Sequence, residues 1–383
     1  MKRRQFLRAG CACGASLITS AAFAQSAWQT PARFARPDLA SDEGGLWSLM
    51  DREETGMRRS PFAIRDPELR DYIQSIACRL AGEHCPDVRV HLVQTPHFNA
   101  SMALNGMMQI WTGLMLRVEN EAQLAAVIGH EIGHYLMRHT LERMRDIKAR
   151  AAFSNFLGLL GVAGAIGQLA VLASAFGYTR DQEREADRVG LALMHKAGYD
   201  TAEAAKVWTN LMLEIQARPG GDPGRFPLFA SHPSPEERQE TMRQLAAEMA
   251  GGERFEERWN EKTKPHLREW LLDEIKRGQH EESIALFSRM MARFPARADF
   301  AYARGEVYRM RAQANDFEAA LADYQAAVQR GGEPPQTHRG LGFIYRQRQQ
   351  QADAQASFER YLEADPKAPD APMIKVYIQE LRT

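Results

Sequence analysis

Apolar residues recur at Leu124, Val127, Ile128 and Ile132 in a Pro-free stretch rich in Ala, Leu, Glu and Ile, the spacing of a mostly buried helix. Asp66 to Gly82 has the pattern of a second, amphipathic helix. Val88 to Gln94 (VRVHLVQ) alternates and is β-branched, which predicts a strand. Met107 to Thr112 (MMQIWT) reads as another strand, entered through an Asn105-Gly106 turn. Gln25 to Pro61 contains Pro and Ser with poor periodicity and reads as an extended arm over the surface. These elements predict a mainly α chain with a small β-sheet.

From Lys264 onward the pattern repeats. Gly305 and Tyr308 recur as Gly342 and Tyr345, and Ala320, Tyr324 and Ala327 recur as Ala354, Phe358 and Tyr361. Pro295 and Pro366 close the first and third units, with a short insertion near Ala312 to Asn315. This is the tetratricopeptide pattern, a helix pair per unit that buries its apolar face on the next. About three units, with Met373 to Leu381 as a cap, make a short α-solenoid whose concave surface suits protein segments.

Length and charge narrow the function classes. A chain of 383 residues accommodates two or three domains. Basic and acidic residues balance at 49 each, so there is no bulk basic field for nucleic acid or anionic membrane. Lys2-Arg3-Arg4-Gln5-Phe6-Leu7-Arg8 is a basic segment with a twin-arginine pattern, followed by an apolar run from Ala9 to Phe23 and small residues Ala22 and Ala24 before Gln25. That is an export signal, implying a folded protein delivered to the periplasm. Cys78 and Cys85 then sit in a compartment that permits disulfides. On one continuous helix they would be about 10 Å apart, too far to bond. A helix stop at Gly82 brings them together, so a disulfide and two free thiols both remain open. Ala151 to Thr179 is uncharged and carries Gly158, Gly161, Gly164 and Gly167. Its position between two candidate metal-binding segments favours a bent helical cover over a peripheral membrane contact, and either over a membrane span.

The candidate chemistry lies in the first helix, which contains His130-Glu131-Ile132-Gly133-His134. Positions i and i+4 share one helix face, so the two imidazoles can bind a single Zn2+, one per chain. Glu131 is placed to act as general base. A zinc ion that works on water needs three protein ligands and one open position. The charged run Arg180 to Arg188 supplies Glu183 as the third ligand. Asp187, one turn later on the same face, can hydrogen-bond a ligand imidazole and fix its tautomer. Glu185 points elsewhere, into solvent.

The segments HEIGH and EREAD resemble the HExxH and ExxxD motifs of the gluzincin peptidase family that contains HtpX and the CAAX prenyl endopeptidases. The resemblance implies His130, His134 and Glu183 as ligands and Glu131 as the catalytic residue. Phe229 to Arg238 (FASHPSPEER) is similar to the SHP segment of the family's periplasmic members with C-terminal repeats. There the residue matching His232 covers the zinc as an extra ligand and keeps the enzyme latent; from the residues alone, blocking the metal and stabilising the oxyanion both stay open. The implied organisation is a signal peptide over 1–24, a zinc metallopeptidase domain over 25–258 and a tetratricopeptide-repeat domain over 264–383. The implied function is a periplasmic endopeptidase in outer-membrane protein assembly or quality control. Its partners would be unfolded or misassembled outer-membrane proteins and the assembly machinery, met through the repeats. In many zinc peptidases a strand such as Met107 to Thr112 forms the edge beside the metal and pairs with the extended substrate; an ordinary core strand is the other reading. A non-proteolytic chaperone or scaffold built on the same repeats is the alternative.

Overall fold

The computed structural model describes residues 28–148, 177–220, 232, 235–249 and 251–382. The expected export signal and nearly all of the uncharged stretch lie outside the described residues. Ala32–Thr383 form one compact unit, and everything below concerns it.

Helix α1 spans Asp42–Arg59. The Ser41 side chain accepts a hydrogen bond from the Gly44 N–H, Asp42 and Glu43 occupy the first turn, and Arg58 and Arg59 the last, all favourable to the helix ends. Leu49, Met50, Glu54 and Met57 are buried. The extended arm expected over Gln25 to Pro61 is therefore corrected: much of it is a helix. The apolar stripe was present, but Gly44-Gly45 and the prolines upstream obscured its period.

Helix α2, Pro67–Ala81, starts on the Asp66 side chain, which accepts from the Leu69 N–H, with proline in its first turn. Gly82 ends it at φ +55°, and a 3-10 turn over Gly82–Asp87 reverses the chain. That reversal brings the Cys78 and Cys85 Cα atoms to 4.5 Å, and the two are joined as a disulfide.

The sheet has three strands in the order β1-β3-β2. Strand β1 (Arg89–Val93) runs parallel to β3 (Met107–Trp111), with Arg89 opposite Met107 and Val93 opposite Trp111. Strand β2 (Ala100–Met102) is antiparallel to β3, with Ser101 opposite Gln109. The Met107 to Thr112 segment is thus the central, wholly buried strand, paired on both sides. It cannot take up a peptide by main-chain pairing; the outer strand on the far side from β1 is β2. Three residues are too few to show a period, so β2 left no trace in the pattern.

The chain continues through α3 (Thr112–Arg117) into α4 (Glu121–Leu136), capped by the Asn120 side chain and buried along its whole length. Helix α5 is His139–Lys148, and α6 is Arg180–Lys196, opened by a capping box between Thr179 and Gln182. Helix α7 is Ala202–Gln216 and α8 is Pro235–Glu248.

Seven further helices complete the described chain: α9 (Glu256–Lys276), α10 (His280–Arg293), α11 (Ala298–Arg311), α12 (Asp316–Arg330), α13 (Gln336–Gln347), α14 (Gln351–Ala364) and α15 (Ala371–Glu380). They form a helical-repeat region. A Cβ at Gly305 would lie 2.8 Å from the Tyr324 ring, and one at Gly342 would lie 2.4 Å from the Phe358 ring. The same glycine-against-aromatic contact therefore closes both α11 on α12 and α13 on α14. Ala312 and Asn315, in the inserted segment, adopt left-handed backbone at φ +52° and +67°. Ion pairs join the first repeat helices to the sheet-bearing part. Buried Arg117 meets Glu274 of α9 at 2.9 Å, and Arg289 of α10 makes a part-buried pair with Glu119 at 2.6 Å. Among the described residues no helix is long and apolar enough to cross a membrane.

Candidate metal centre

Helices α4 and α6 pack at backbone distance because glycines line the seam. A Cβ on Gly133 would fall 2.8 Å from the Ala186 carbonyl oxygen, and one on Gly190 would fall 2.9 Å from the His130 nitrogen. This close approach sets Glu183 and Asp187 of α6 against His130 and His134 of α4. His232 arrives from the segment before α8.

His130, His134, Glu183 and His232 each offer a ligand atom, and the four atoms lie within 4.8 Å of one another. His130 Nε2 is 3.0 Å from His134 Nε2 and 3.2 Å from His232 Nδ1. Glu183 Oε1 is 2.8 Å from His232 Nδ1 and 3.4 Å from His134 Nε2. Donor atoms at the corners of a tetrahedron around zinc, at bond lengths of ~2.0–2.2 Å, are about 3.3 Å apart. The observed separations fit such an ion, and a set of three imidazoles and one carboxylate suits zinc chemically.

All four residues are buried, as are Glu131 and Asp187. Among the described residues Glu131 Oε1 has no hydrogen-bond partner; His232 Nε2 is 3.6 Å away. Burial pushes the Glu131 carboxyl above the usual carboxylate range, and the pull of His232 and His130 only partly offsets this. Burial acts on Glu183 in the same sense, but His232 and Arg238 outweigh it and hold its carboxyl well below the usual range.

Asp187 Oδ1 lies 2.8 Å from His130 Nδ1, the hydrogen bond expected of it. Arg238 in turn binds Asp187 at two points and sits 2.7 Å from Glu183 Oε2, with its guanidinium 4.2 Å over the Trp208 ring. Glu185 departs from expectation. Its side chain is partly exposed, but Oε2 lies 3.1 Å from Nε2 of buried His139, whose Nδ1 is 2.9 Å from His134 Nδ1. The helix start at His139 turns that ring back under His134, which spacing along the chain did not indicate. Tyr178 stacks on His134 with ring centroids 3.8 Å apart, and its hydroxyl is 3.0 Å from that of Thr140. His139, Tyr178 and Arg238 were not singled out in the sequence. Gly129, Gly133 and Gly190, which were not weighed in the sequence, are a signal that could have pointed to a close helix pair.

Comparison with known proteins agrees with this geometry. Residues 63–246 match the model of Peptidase family M48. The chain is 29% identical over 236 residues to the beta-barrel assembly-enhancing protease of Escherichia coli, covering 56% of this chain and 47% of that protein. It is 29% identical over 244 residues to the Yersinia pestis protein of the same name, covering 57% and 49%. It is 31% identical over 155 residues to the mitochondrial metalloendopeptidase OMA1 of Arabidopsis thaliana, covering 40% and 31%. The chain therefore spans about half the length, or less, of these relatives.

Proposed function

Residues 63–246 are a domain of peptidase family M48, and from that premise we propose that the chain is a zinc-dependent endopeptidase. The observation that carries the reading is the convergence of His130, His134, Glu183 and His232 on one point, with the partnerless carboxylate oxygen of Glu131 beside it. His130, His134 and Glu183 would hold the ion. When bound, zinc supplies Lewis-acid polarisation of the scissile carbonyl and makes water a better nucleophile. Glu131 takes the proton of the attacking water at its carboxylate and returns it to the leaving amine. Asp187 holds His130 in orientation.

Among the described residues, the sheet offers the outer side of β2 for main-chain pairing with a substrate. The Asn99 carbonyl accepts from the Trp111 N–H and the Ala103 N–H donates to the Met107 carbonyl, so in this antiparallel pair the main-chain groups of Ala100 and Met102 turn to the outer side. An extended peptide laid there would run beside the centre. His232 fills the fourth donor position, which supports a latent resting state.

The relatives' names speak of beta-barrel assembly. Together with the export signal read at the N-terminus and the disulfide, this supports a periplasmic enzyme acting on unfolded or misassembled outer-membrane proteins. The helical repeats, read as tetratricopeptide units, would present those segments or contact the assembly machinery, and the same surface suits a chaperone role alongside cleavage. Export, the repeat type, membrane contact through Ala151 to Thr179 and the domain limits at 258 and 264 belong to this proposal.

Glu131→Gln tests it. The variant is expected to retain one zinc per chain by metal analysis and to lose cleavage of an unfolded protein substrate. Wild-type-like turnover, or a wild-type chain that takes up no zinc, would overturn the reading.

A further inference from the structure

The contact between His134 and His139 is chemically restrictive. Two imidazole Nδ1 atoms 2.9 Å apart share a single proton, so one ring donates and the other accepts. Which ring donates decides whether His134 can bind a metal. If His139 donates from Nδ1, the neutral His134 carries its proton on Nε2, which faces the donor cluster, and has no lone pair to offer there. If His134 donates from Nδ1, its Nε2 lone pair is free to coordinate.

Glu185 settles the direction. Its Oε2 lies 3.1 Å from His139 Nε2, and a carboxylate only accepts. The proton of neutral His139 is thereby drawn to Nε2, leaving Nδ1 as the acceptor for His134. The order Glu185 carboxylate, His139 Nε2–H, His139 Nδ1, His134 Nδ1–H, His134 Nε2 is then consistent at every link. It parallels the shorter arrangement on the other ligand, where Asp187 accepts directly from His130 Nδ1.

The enclosure agrees with this. His139 is buried and opens α5, so its ring position is held by the backbone of the turn after α4. The two carboxylates come from one helix, Asp187 reaching His130 directly and Glu185 reaching His134 through an inserted ring. One turn of α6 thus orients both imidazoles of α4.

We propose that Glu185 and His139 form a positioning relay that fixes His134 in its Nδ1–H tautomer and so readies it as a zinc ligand. The inference rests on the metal-centre reading above and adds two residues to it. Neither touches the reacting atoms.

The test uses the full chain loaded with zinc. Replacement of the imidazole by an apolar side chain in His139→Leu fills the volume without an acceptor, whereas His139→Asn can place an amide oxygen near the lost Nδ1. Chelator-competition titration is expected to show zinc affinity reduced ~10–100-fold in His139→Leu, the range for loss of such an outer partner, and largely restored in His139→Asn. Glu185→Leu should weaken affinity as well, and the Glu185→Leu/His139→Leu double variant should be no weaker than His139→Leu alone. Nitrogen-15 histidine spectra of the wild-type zinc form should show His139 as the Nε2–H tautomer and His134 as the Nδ1–H tautomer. A His139 proton on Nδ1, or a His139→Leu affinity within twofold of wild type, would overturn the relay while leaving a zinc-binding wild type, and with it the parent reading, intact. If the wild type binds no zinc, both fall. Should His139→Leu fail to fold, the wild-type tautomers and the Glu185→Leu affinity decide the matter.

Discussion

Arg238 and Asp187 are joined at two points inside the protein: Arg238 Nε donates to Oδ2 at 2.9 Å and Nη2 to Oδ1 at 2.7 Å. Both side chains are almost wholly buried. The pair therefore does more than hold Asp187 on His130, because the same guanidinium also neutralises Glu183. Removing it strands two buried carboxylates, and breaking one side of a buried ion pair costs about 3–5 kcal/mol. Arg238→Met should lose stability of that order in denaturant titrations. Arg238→Lys should recover only part, since an ammonium cannot span the planar fork of contacts.

The α4–α6 seam gives a sharper steric prediction. Gly133→Ala places a methyl group 2.8 Å from the Ala186 carbonyl oxygen, and backbone on both sides leaves no side chain to move aside. Overpacking of this kind costs about 1–3 kcal/mol, and any separation of the helices pulls Glu183 away from the histidines. The variant should therefore lose both thermal stability and zinc affinity. Gly45→Ala, in open space on α1, is the control. There the helix gains about 0.5–1 kcal/mol from the lost backbone freedom of glycine, and zinc binding should not change.

How far these features were legible in the sequence follows from the range of the interactions. His130 and His134 are one helical turn apart, and Glu183 and Asp187 are likewise; local spacing picked out the first pair, and the second stood out only because the first called for a third ligand. The glycines and aromatics of the repeats recur, Gly305 with Gly342 and Tyr324 with Phe358, and that recurrence was legible along the chain. Arg238 and His139 are different. Arg238 meets Asp187 across 51 positions, and His139 meets Glu185 across 46. Nothing periodic links them, and their partners exist only once α4, α6 and α8 are packed. Strand β3 was read as a strand, but whether it was a substrate-binding edge or a core strand stayed open until its central place was seen, because order within a sheet is a property of tertiary pairing.

Acid should also act on stability through the Glu54 cluster of α1. Burial raises the Glu54 carboxyl, but hydrogen bonds from Arg89 and His91, with the charge of Arg89 and the bond from Arg58, more than reverse this and hold it well below the usual range. A carboxyl whose pKa is depressed on folding stabilises the protein above its unfolded pKa, near 4.5, and that contribution is lost as pH falls toward the folded value. Urea midpoints of wild type and Glu54→Gln should therefore differ most at neutral pH and converge below pH ~4. A gap that widens on acidification would contradict the assignment.

The last prediction concerns His232, whose ring stands between the ligands and the base. Its Nδ1 is 2.8 Å from Glu183 Oε1 and 3.2 Å from His130 Nε2, while its Nε2 is 3.6 Å from Glu131 Oε1. A ring in that position occupies the donor site that water or a substrate carbonyl would need, and a centre closed by four protein ligands is the structural rather than the catalytic kind. His232→Ala leaves His130, His134 and Glu183 in place, the three-ligand set of a catalytic site. It should bind zinc more weakly yet cleave an unfolded protein faster, by tenfold or more on the order expected when ~1.4 kcal/mol of ground-state stabilisation is removed. Zinc affinity and turnover must be measured on the same preparations, because their opposite movement is the signature of a latch. If turnover collapses while zinc stays bound, His232 serves the reacting centre instead, as a donor to the developing oxyanion. The effect is then on kcat and survives saturation with metal.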